Sequence, residues 1–182
     1  MKRSTPKMIV NTLKENQLSI KKKYGQNFLV DQNILDRIIQ TADIKDNTVV
    51  IEVGPGLGSL TEGLLTKAKK VIAYEIDQDL VPILNSAFKD QAFLLISEDI
   101  LKRNLNEDIN RFTEAKDDIV VVANLPYYIT TPILMKFLEE TKRVRRMVLM
   151  MQHEVAQRIT AHTSTKDYNA LSIAVQYRAE CK

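Results

Sequence analysis

The chain has 182 residues, 45% of them hydrophobic, with 26 basic against 23 acidic side chains and a net charge of +3. That is enough apolar material for one domain with a substantial core, which excludes a disordered chain, while so small a charge excess does not by itself identify a nucleic-acid binder. A single cysteine, Cys181, excludes an internal disulfide framework and fits a cytosolic setting; no stretch is long and apolar enough to span a membrane, and the basic start, Met1 to Lys7, lacks the apolar run of a secretion signal.

Residues 1–20 read as an N-terminal arm, and residues 21–182 as the domain. From Met8 to Ile20 the apolar periodicity is weak, and a short helix and a loose arm both fit it. Lys21, Lys22 and Lys23 form a basic cluster that reads either as a solvated surface or as a set of phosphate contacts. The run from Tyr24 through Gln26, Asn27, Phe28 and Leu29 to Val30 is a turn with amides beside an aromatic. Such amides are ordinary turn residues or ligand contacts. Asp31 is placed to cap a helix whose apolar face is Ile34, Leu35, Ile38 and Ile39, and which ends in the turn-rich Asp43 to Asn47.

Thr48 to Val53 is an apolar run too short for a helix core and reads as a buried parallel strand. Gly54-Pro55-Gly56-Leu57-Gly58 follows as a glycine turn, and Ser59 to Glu62 has the capping-box spacing that opens a helix. The glycines let a ligand approach the backbone, and a helix start offers unpaired N–H groups. The spacing is not the dinucleotide fingerprint, and no lysine follows as in a phosphate-binding loop. Glu52, just before the turn, disfavours a pyrophosphate and suits a positively charged ligand, such as the sulfonium and amine of S-adenosylmethionine. The alternative is a structural turn in another α/β protein. Lys67, Lys69 and Lys70 fall near the end of the predicted helix, where the dipole favours cations.

Val71 to Glu75 reads as a second buried strand. A carboxylate here, roughly 20 residues past the glycine turn, is placed to accept from ribose hydroxyls, or is a solvated acid at a strand end. Leu80, Val81, Leu84 and Phe88 mark the next helix, with Pro82 tolerated only in its first turn. Phe93 to Ile96 is the third strand. Asp99 after it reads as an acceptor for an adenine amino group or as a loop acid. Lys102 to Asp118 reads as a surface helix with a thin stripe of Leu105, Ile109 and Phe112.

Ile119 to Ala123 is a fully apolar fourth strand that delivers Asn124, Leu125, Pro126, Tyr127 and Tyr128 to the same sheet edge as Glu52, Glu75 and Asp99. Asn124 can accept from an amino group, and either tyrosine offers a stacking face for a base, or packs on the core. Thr131 and Pro132 have the cap-then-proline order of a helix start. Arg143, Arg145 and Arg146, with Lys142, form the densest basic patch, and Met147 to Met151 is the fifth strand. His153 and His162 have no cysteine set and no third ligand in the sequence, so no metal is expected. Leu171 to Tyr177 fits a helix or a strand.

Taken in order, these segments resemble the small-subunit ribosomal RNA adenine dimethyltransferases, the KsgA/Dim1 family. The matching runs are Gly25-Gln26-Asn27-Phe28-Leu29, Glu52 to Gly58, Tyr74-Glu75-Ile76-Asp77, Glu98-Asp99-Ile100, and Asn124-Leu125-Pro126-Tyr127-Tyr128 continuing to Ile133. The segments from Gln152 to Arg158 and from Tyr168 to Gln176 are also similar. The resemblance implies a Rossmann-like S-adenosylmethionine-dependent methyltransferase with an open, mostly parallel sheet. By it, Gln26, Asn27 and Leu29 close over the methionine end of the cofactor; Glu52, Gly54 and Gly56 line its centre; Glu75 holds the ribose. Ile76 packs on the cofactor's adenine, with Asp99 and Ile100 at that ring's amino group. Asn124, bordering the cofactor, orients the target N6 with the Leu125 and Pro126 backbone, and Tyr127 stacks on the flipped base. Lys21 to Lys23 and Arg143 to Arg146 are the expected RNA contacts. The implied reaction dimethylates two adjacent adenines near the 3′ end of small-subunit RNA, in a cytoplasmic pre-ribosomal particle, by a monomer needing no metal and no membrane.

Two alternatives stand beside it: as runner-up, the related large-subunit adenine methyltransferases of macrolide resistance, and, of a different class, a non-catalytic ribosome-assembly factor that keeps the cofactor fold. Family catalytic domains carry seven strands and then a helical RNA-gripping domain, whereas five strands are counted here. The chain therefore reads as a truncated catalytic domain, expected to bind the cofactor and to transfer methyl groups poorly or not at all. Asn169 stands where the family commonly has glycine, and Thr163 and Ser164 replace a common proline-glycine turn.

Overall fold

A computed structural model of the protein describes residues 5–18, 28–126 and 128–182. Its centre is a parallel sheet of five strands, β1 (Thr48–Val53), β2 (Lys70–Tyr74), β3 (Phe93–Ile96), β4 (Asp118–Asn124) and β5 (Val144–Met150), in the order β3-β2-β1-β4-β5. The helices are α1 (Pro6–Glu15), α2 (Gln32–Thr41), α3 (Ser59–Leu65), α4 (Val81–Phe88), α5 (Leu105–Phe112), α6 (Thr130–Glu140), α7 (His153–Thr160) and α8 (Ala170–Gln176).

The period of two along the strands divides the core between two faces. Val49, Ile51 and Val53 pack with Ile72, Tyr74, Ile119 and Val121 against Leu105, Ile109, Ile133 and Phe137 of α5 and α6. Val50, Val71, Val120 and Val122 pack on the other side against Leu35, Ile38, Ile39, Leu60 and Leu64 of α2 and α3. Strands buried on both faces need no polar alternation, which is why β1 and β4 are near-continuous apolar runs. Glu52 breaks that run. It shares the α3 side with Val50, so its carboxyl lies within the protein rather than in water.

The helix starts differ from the expected ones in instructive ways. Asp31 does cap α2, accepting from the Asn33 and Ile34 amides. Ser59 does not cap α3; Gly58 holds that position at φ +85°, with no side-chain cap bond. A Cβ on Gly58 would lie 2.6 Å from the Phe88 ring, so close packing and a left-handed backbone both demand glycine there. α6 begins at Thr130, a residue before the expected cap, and the Thr130 hydroxyl donates to the Pro126 carbonyl. The lysines expected at the end of α3 lie beyond it: Lys70 begins β2, and Lys69 pairs with Glu114 and Asp117. Within Lys102 to Asp118, expected as a surface helix, the helix α5 covers Leu105–Phe112 only; a 3-10 turn, Ile100–Lys102, precedes it and Asp118 already begins β4.

The ambiguous Leu171 to Tyr177 is helical, opened by a capping box between Asn169 and Ser172. The weakly periodic N-terminal segment is helical over Pro6–Glu15, and Ile9 packs with Leu57, Leu80, Leu84 and Phe88 behind the glycine turn. No helix among the described residues is long and apolar enough to cross a membrane.

Candidate active site

The sheet order reverses at β1, whose neighbours are β2 and β4. The strand ends on either side of such a reversal leave a crevice, because their connections run to opposite faces. Here the crevice is a cleft open to solvent. Residues leaving all four strands β1 to β4 line it: Glu52, Gly54 and Gly56 from β1, Glu75 and Ile76 after β2, Asp99 and Ile100 after β3, and Asn124, Leu125 and Pro126 from β4. Leu29, just before α2, forms part of its wall. These are expected site residues, separated by up to 97 positions in the chain and brought to one opening.

Two carboxyls define its chemistry. Glu52 is 1% exposed. Its Oε2 accepts from the Thr61 hydroxyl at 2.7 Å, while its Oε1 has no hydrogen-bond partner among the described residues. Burial pushes this carboxyl up to about 8, against the hydrogen bond from Thr61 and with the nearby charge of Glu75 adding to the rise. Glu75 is better provided for. Its Oε1 accepts from the Asp77 amide at 2.8 Å and its Oε2 from the Gly56 amide at 3.3 Å, fixing the carboxyl beside the glycine turn. Burial raises the Glu75 carboxyl, and those backbone amides work against the rise.

The Glu52 shift has a consequence for stability. The folded carboxyl keeps its proton to about 8, whereas its ordinary value is 4.5. Between those limits the unfolded chain has released a proton that the folded chain retains. The destabilisation is therefore absent at lower pH, grows through this window, and is complete above the folded value. Glu52→Gln is expected to raise the stability of the ligand-free chain most above about pH 8, by up to a few kcal/mol, with little effect near pH 5. Urea midpoints at the two pH values check this; an equal gain at both would remove the buried charge as the cause.

Gly54 sits at φ +70° and a Cβ there would meet nothing within 4 Å, so the backbone faces open space in the cleft. Ile76 is 41% exposed, an apolar side chain left standing at the mouth. Asp99 caps the 3-10 turn by accepting from the Leu101 amide. Tyr128, half-exposed, adds an aromatic wall that the sequence had left open between site and core.

Thr61 and a second network were not anticipated. The Tyr74 hydroxyl donates to Asp108 Oδ2 at 3.0 Å, and Arg103 donates to both Asp108 oxygens and to Glu98. Burial pushes Asp108 up, but its bonds from Arg103 and Tyr74 outweigh that and hold the carboxyl below its usual range. This ties the end of β2 to the loop carrying Glu98 and Asp99. The residues are 34 positions apart in sequence, and only the threonine and tyrosine at core-facing positions hinted that a polar partner was needed.

The arginine patch lies elsewhere. Val144, where β5 begins, pairs with Ile119 near the start of β4, so Arg143, Arg145 and Arg146 occupy the strand edge opposite the cleft. Arg143 donates to Thr113 and the Glu114 carbonyl, Arg145 to Asp118 and the Asp43 carbonyl, and Arg146 to the Thr41 carbonyl. The fifth strand thus starts three residues before Met147, with Arg145 and Arg146 inside it. Lys21, Lys22, Lys23, Gln26, Asn27 and Tyr127 lie outside the described residues.

A parallel sheet in this order, with a glycine turn leaving its central strand and carboxylates on the next strand ends, is the Rossmann-like fold of S-adenosylmethionine-dependent methyltransferases. Comparison with known proteins narrows the class. The family profile described as "Ribosomal RNA adenine dimethylase" matches residues 17–182. The "Ribosomal RNA small subunit methyltransferase A" of Bacillus pumilus (strain SAFR-032) is 51% identical over 181 residues, which is 98% of this chain and 62% of that protein. The protein of the same name from Geobacillus sp. (strain WCH70) is 47% identical over 180 residues, with 98% and 62% covered. Among solved structures, a dimethyladenosine transferase from Plasmodium falciparum superposes with TM-score 0.67 at 33% identity, covering 80% of this chain and 50% of that one. The 23S rRNA methyltransferase ErmE superposes with TM-score 0.64 at 29% identity, covering 74% and 51%. The chain belongs to the ribosomal RNA adenine dimethylase family, and spans about three fifths of the length of the curated relatives it matches.

Proposed function

We propose that the cleft holds S-adenosylmethionine and that the chain is the cofactor-bearing part of an enzyme that dimethylates N6 of adenines in small-subunit ribosomal RNA. The observation that carries this reading is the buried Glu52 oxygen without a hydrogen-bond partner among the described residues, beside Glu75 and on the same strand edge as Asn124. A ligand with a cationic tail and a nucleoside fits such a site. Glu52 faces the positive end, Gly54 leaves room for the chain of the ligand, and Glu75 accepts from vicinal ribose hydroxyls. Ile76 covers one face of the adenine, and Asp99, with Ile100 beside it, meets the ring's amino group. Gln26, Asn27 and Leu29 close the methionine end.

When bound, the cofactor supplies an activated methyl group on a sulfonium. The protein's task is then alignment, because the adenine amino nitrogen is a poor nucleophile whose lone pair is delocalised into the ring. The Asn124 side-chain oxygen accepts one amino hydrogen and a backbone carbonyl at Leu125 or Pro126 accepts the other. This draws the nitrogen towards a pyramidal shape aimed into the cleft. Tyr127 stacks on the base once it has left its helix. The relatives at 47% and 51% identity carry the small-subunit name, while the ErmE likeness is at 29%, which favours small-subunit over large-subunit RNA. A ribosomal substrate puts the reaction in the cytoplasm.

Lys21, Lys22 and Lys23 supply phosphate contacts, with Arg143, Arg145 and Arg146 at a second location. Alanine at the three lysines is expected to weaken RNA binding and lower the salt slope by up to about three. An unchanged slope would make these lysines solvated charges. The functional reading is tested by methyl transfer from labelled cofactor to undermethylated small subunits and to large-subunit RNA, using this chain and a version extended to the relatives' full length. Dimethyladenosine in the small-subunit RNA supports it; label confined to large-subunit RNA, or absent with the extended version, contradicts it.

A further inference from the structure

Four carboxyls line the cleft, those of Glu52, Glu75, Glu98 and Asp99, and no lysine, arginine or histidine joins them among the described residues. Three of the four have ready support: Glu75 accepts from two backbone amides, Glu98 pairs with Arg103, and Asp99 accepts from the Leu101 amide. Glu52 is the exception. It is 1% exposed and, among the described residues, takes one hydroxyl donor, from Thr61, on one oxygen only. Its neighbours across the sheet are Ala73 of β2 and Val122 of β4, which carry no charge. The charged group facing it is Glu75, of like sign. An ionised carboxylate in such a place is costly, because a single hydroxyl donor does not replace the water it has lost.

We propose that Glu52 is neutral in the ligand-free protein and that the cationic end of the cofactor expels its proton to solvent, making the loading of the cleft proton-linked. This rests on the reading of the cleft as an S-adenosylmethionine site. The balance is simple: a protonated Glu52 and a ligand ammonium enter, a carboxylate–ammonium pair remains, and one proton leaves to the buffer. The raised carboxyl of Glu52 agrees with the geometry. Burial raises Glu75 as well, but its two amide donors work against that rise and stay in place, whereas Glu52 has one hydroxyl donor; the released proton is therefore assigned to Glu52.

The test is isothermal titration of S-adenosylmethionine into the protein near pH 7, in two buffers of different ionisation enthalpy. The expected release is about one proton per site, with affinity rising about tenfold between pH 6 and pH 7. Glu52→Gln, which keeps an acceptor for Thr61, is expected to abolish both the release and the pH dependence, whereas Glu75→Gln keeps the release. Wild-type binding without proton release overturns the proposal, as does release that survives in Glu52→Gln. Should that variant bind too weakly to titrate, carbon-13 carboxyl shifts of the wild-type protein decide: a protonated glutamate that ionises on ligand addition supports the proposal, and no change overturns it. A folded protein that binds no cofactor at all overturns the functional reading instead, so the two failures are distinct.

Discussion

Asn124→Ala is expected to reduce methyl transfer by about 10²–10³-fold while leaving cofactor affinity within about twofold, since removing one positioned hydrogen-bonding group from a reacting centre costs that much. The amide stands at the end of a strand in which Ile119 to Ala123, just before it, are all apolar and buried. Its backbone position is fixed by pairing with Met150 of β5. In period two it falls on the same side of the sheet as Val122, the register partner of Glu52, so the amide and the buried carboxyl look into one opening. Alanine keeps the strand and removes the acceptor. Single-turnover methylation in a chain of the relatives' full length, beside cofactor titration, separates the two effects. Near-normal turnover would take Asn124 out of the reaction, and a collapse of cofactor affinity would make it a binding residue.

Glu75→Ala acts on the other half of the site. Loss of a charge-assisted bond to ribose is expected to cost roughly 1.5–3 kcal/mol of cofactor affinity, about 10- to 150-fold in the dissociation constant. The side chain also holds the Gly56 and Asp77 amides, so its removal loosens the glycine turn as well. Glu75→Gln distinguishes these roles: it keeps an acceptor and loses the charge, and is expected to recover part of the affinity. An unchanged dissociation constant in the alanine variant would remove Glu75 from the site.

The sheet was legible because β1, β2 and β4 are apolar runs rich in β-branched residues, and β3 is a short apolar run, each bounded by a turn. Glu52, Glu75, Asp99 and Asn124, at or just beyond the ends of these runs, line the cleft. Where an element has one face in water the signal weakens. β5 carries Arg145 and Arg146 in its first half, and its start was read three residues late. α8 is 7 residues long, too short for periodicity to separate it from a strand; its capping pair, Asn169 and Ser172, was the informative signal. The start of α3 at Ser59 was legible, but its cap was not, because a glycine cap leaves no side-chain signature. Long-range polar partners were invisible. Nothing in the sequence announces that Thr61 holds Glu52, or that Arg103 joins Tyr74 through Asp108. The arginines were legible as charge, but not as partners of Asp118 and of backbone carbonyls at the far edge.

Equilibrium dialysis of labelled S-adenosylmethionine against the purified chain tests the central claim most directly. The cleft between Glu52 and Glu75 predicts saturable binding at one site, weakened about 10-fold or more by Glu75→Ala. A chain that is folded by circular dichroism and retains no label, or one that binds the cofactor equally well without the Glu75 carboxyl, would contradict it.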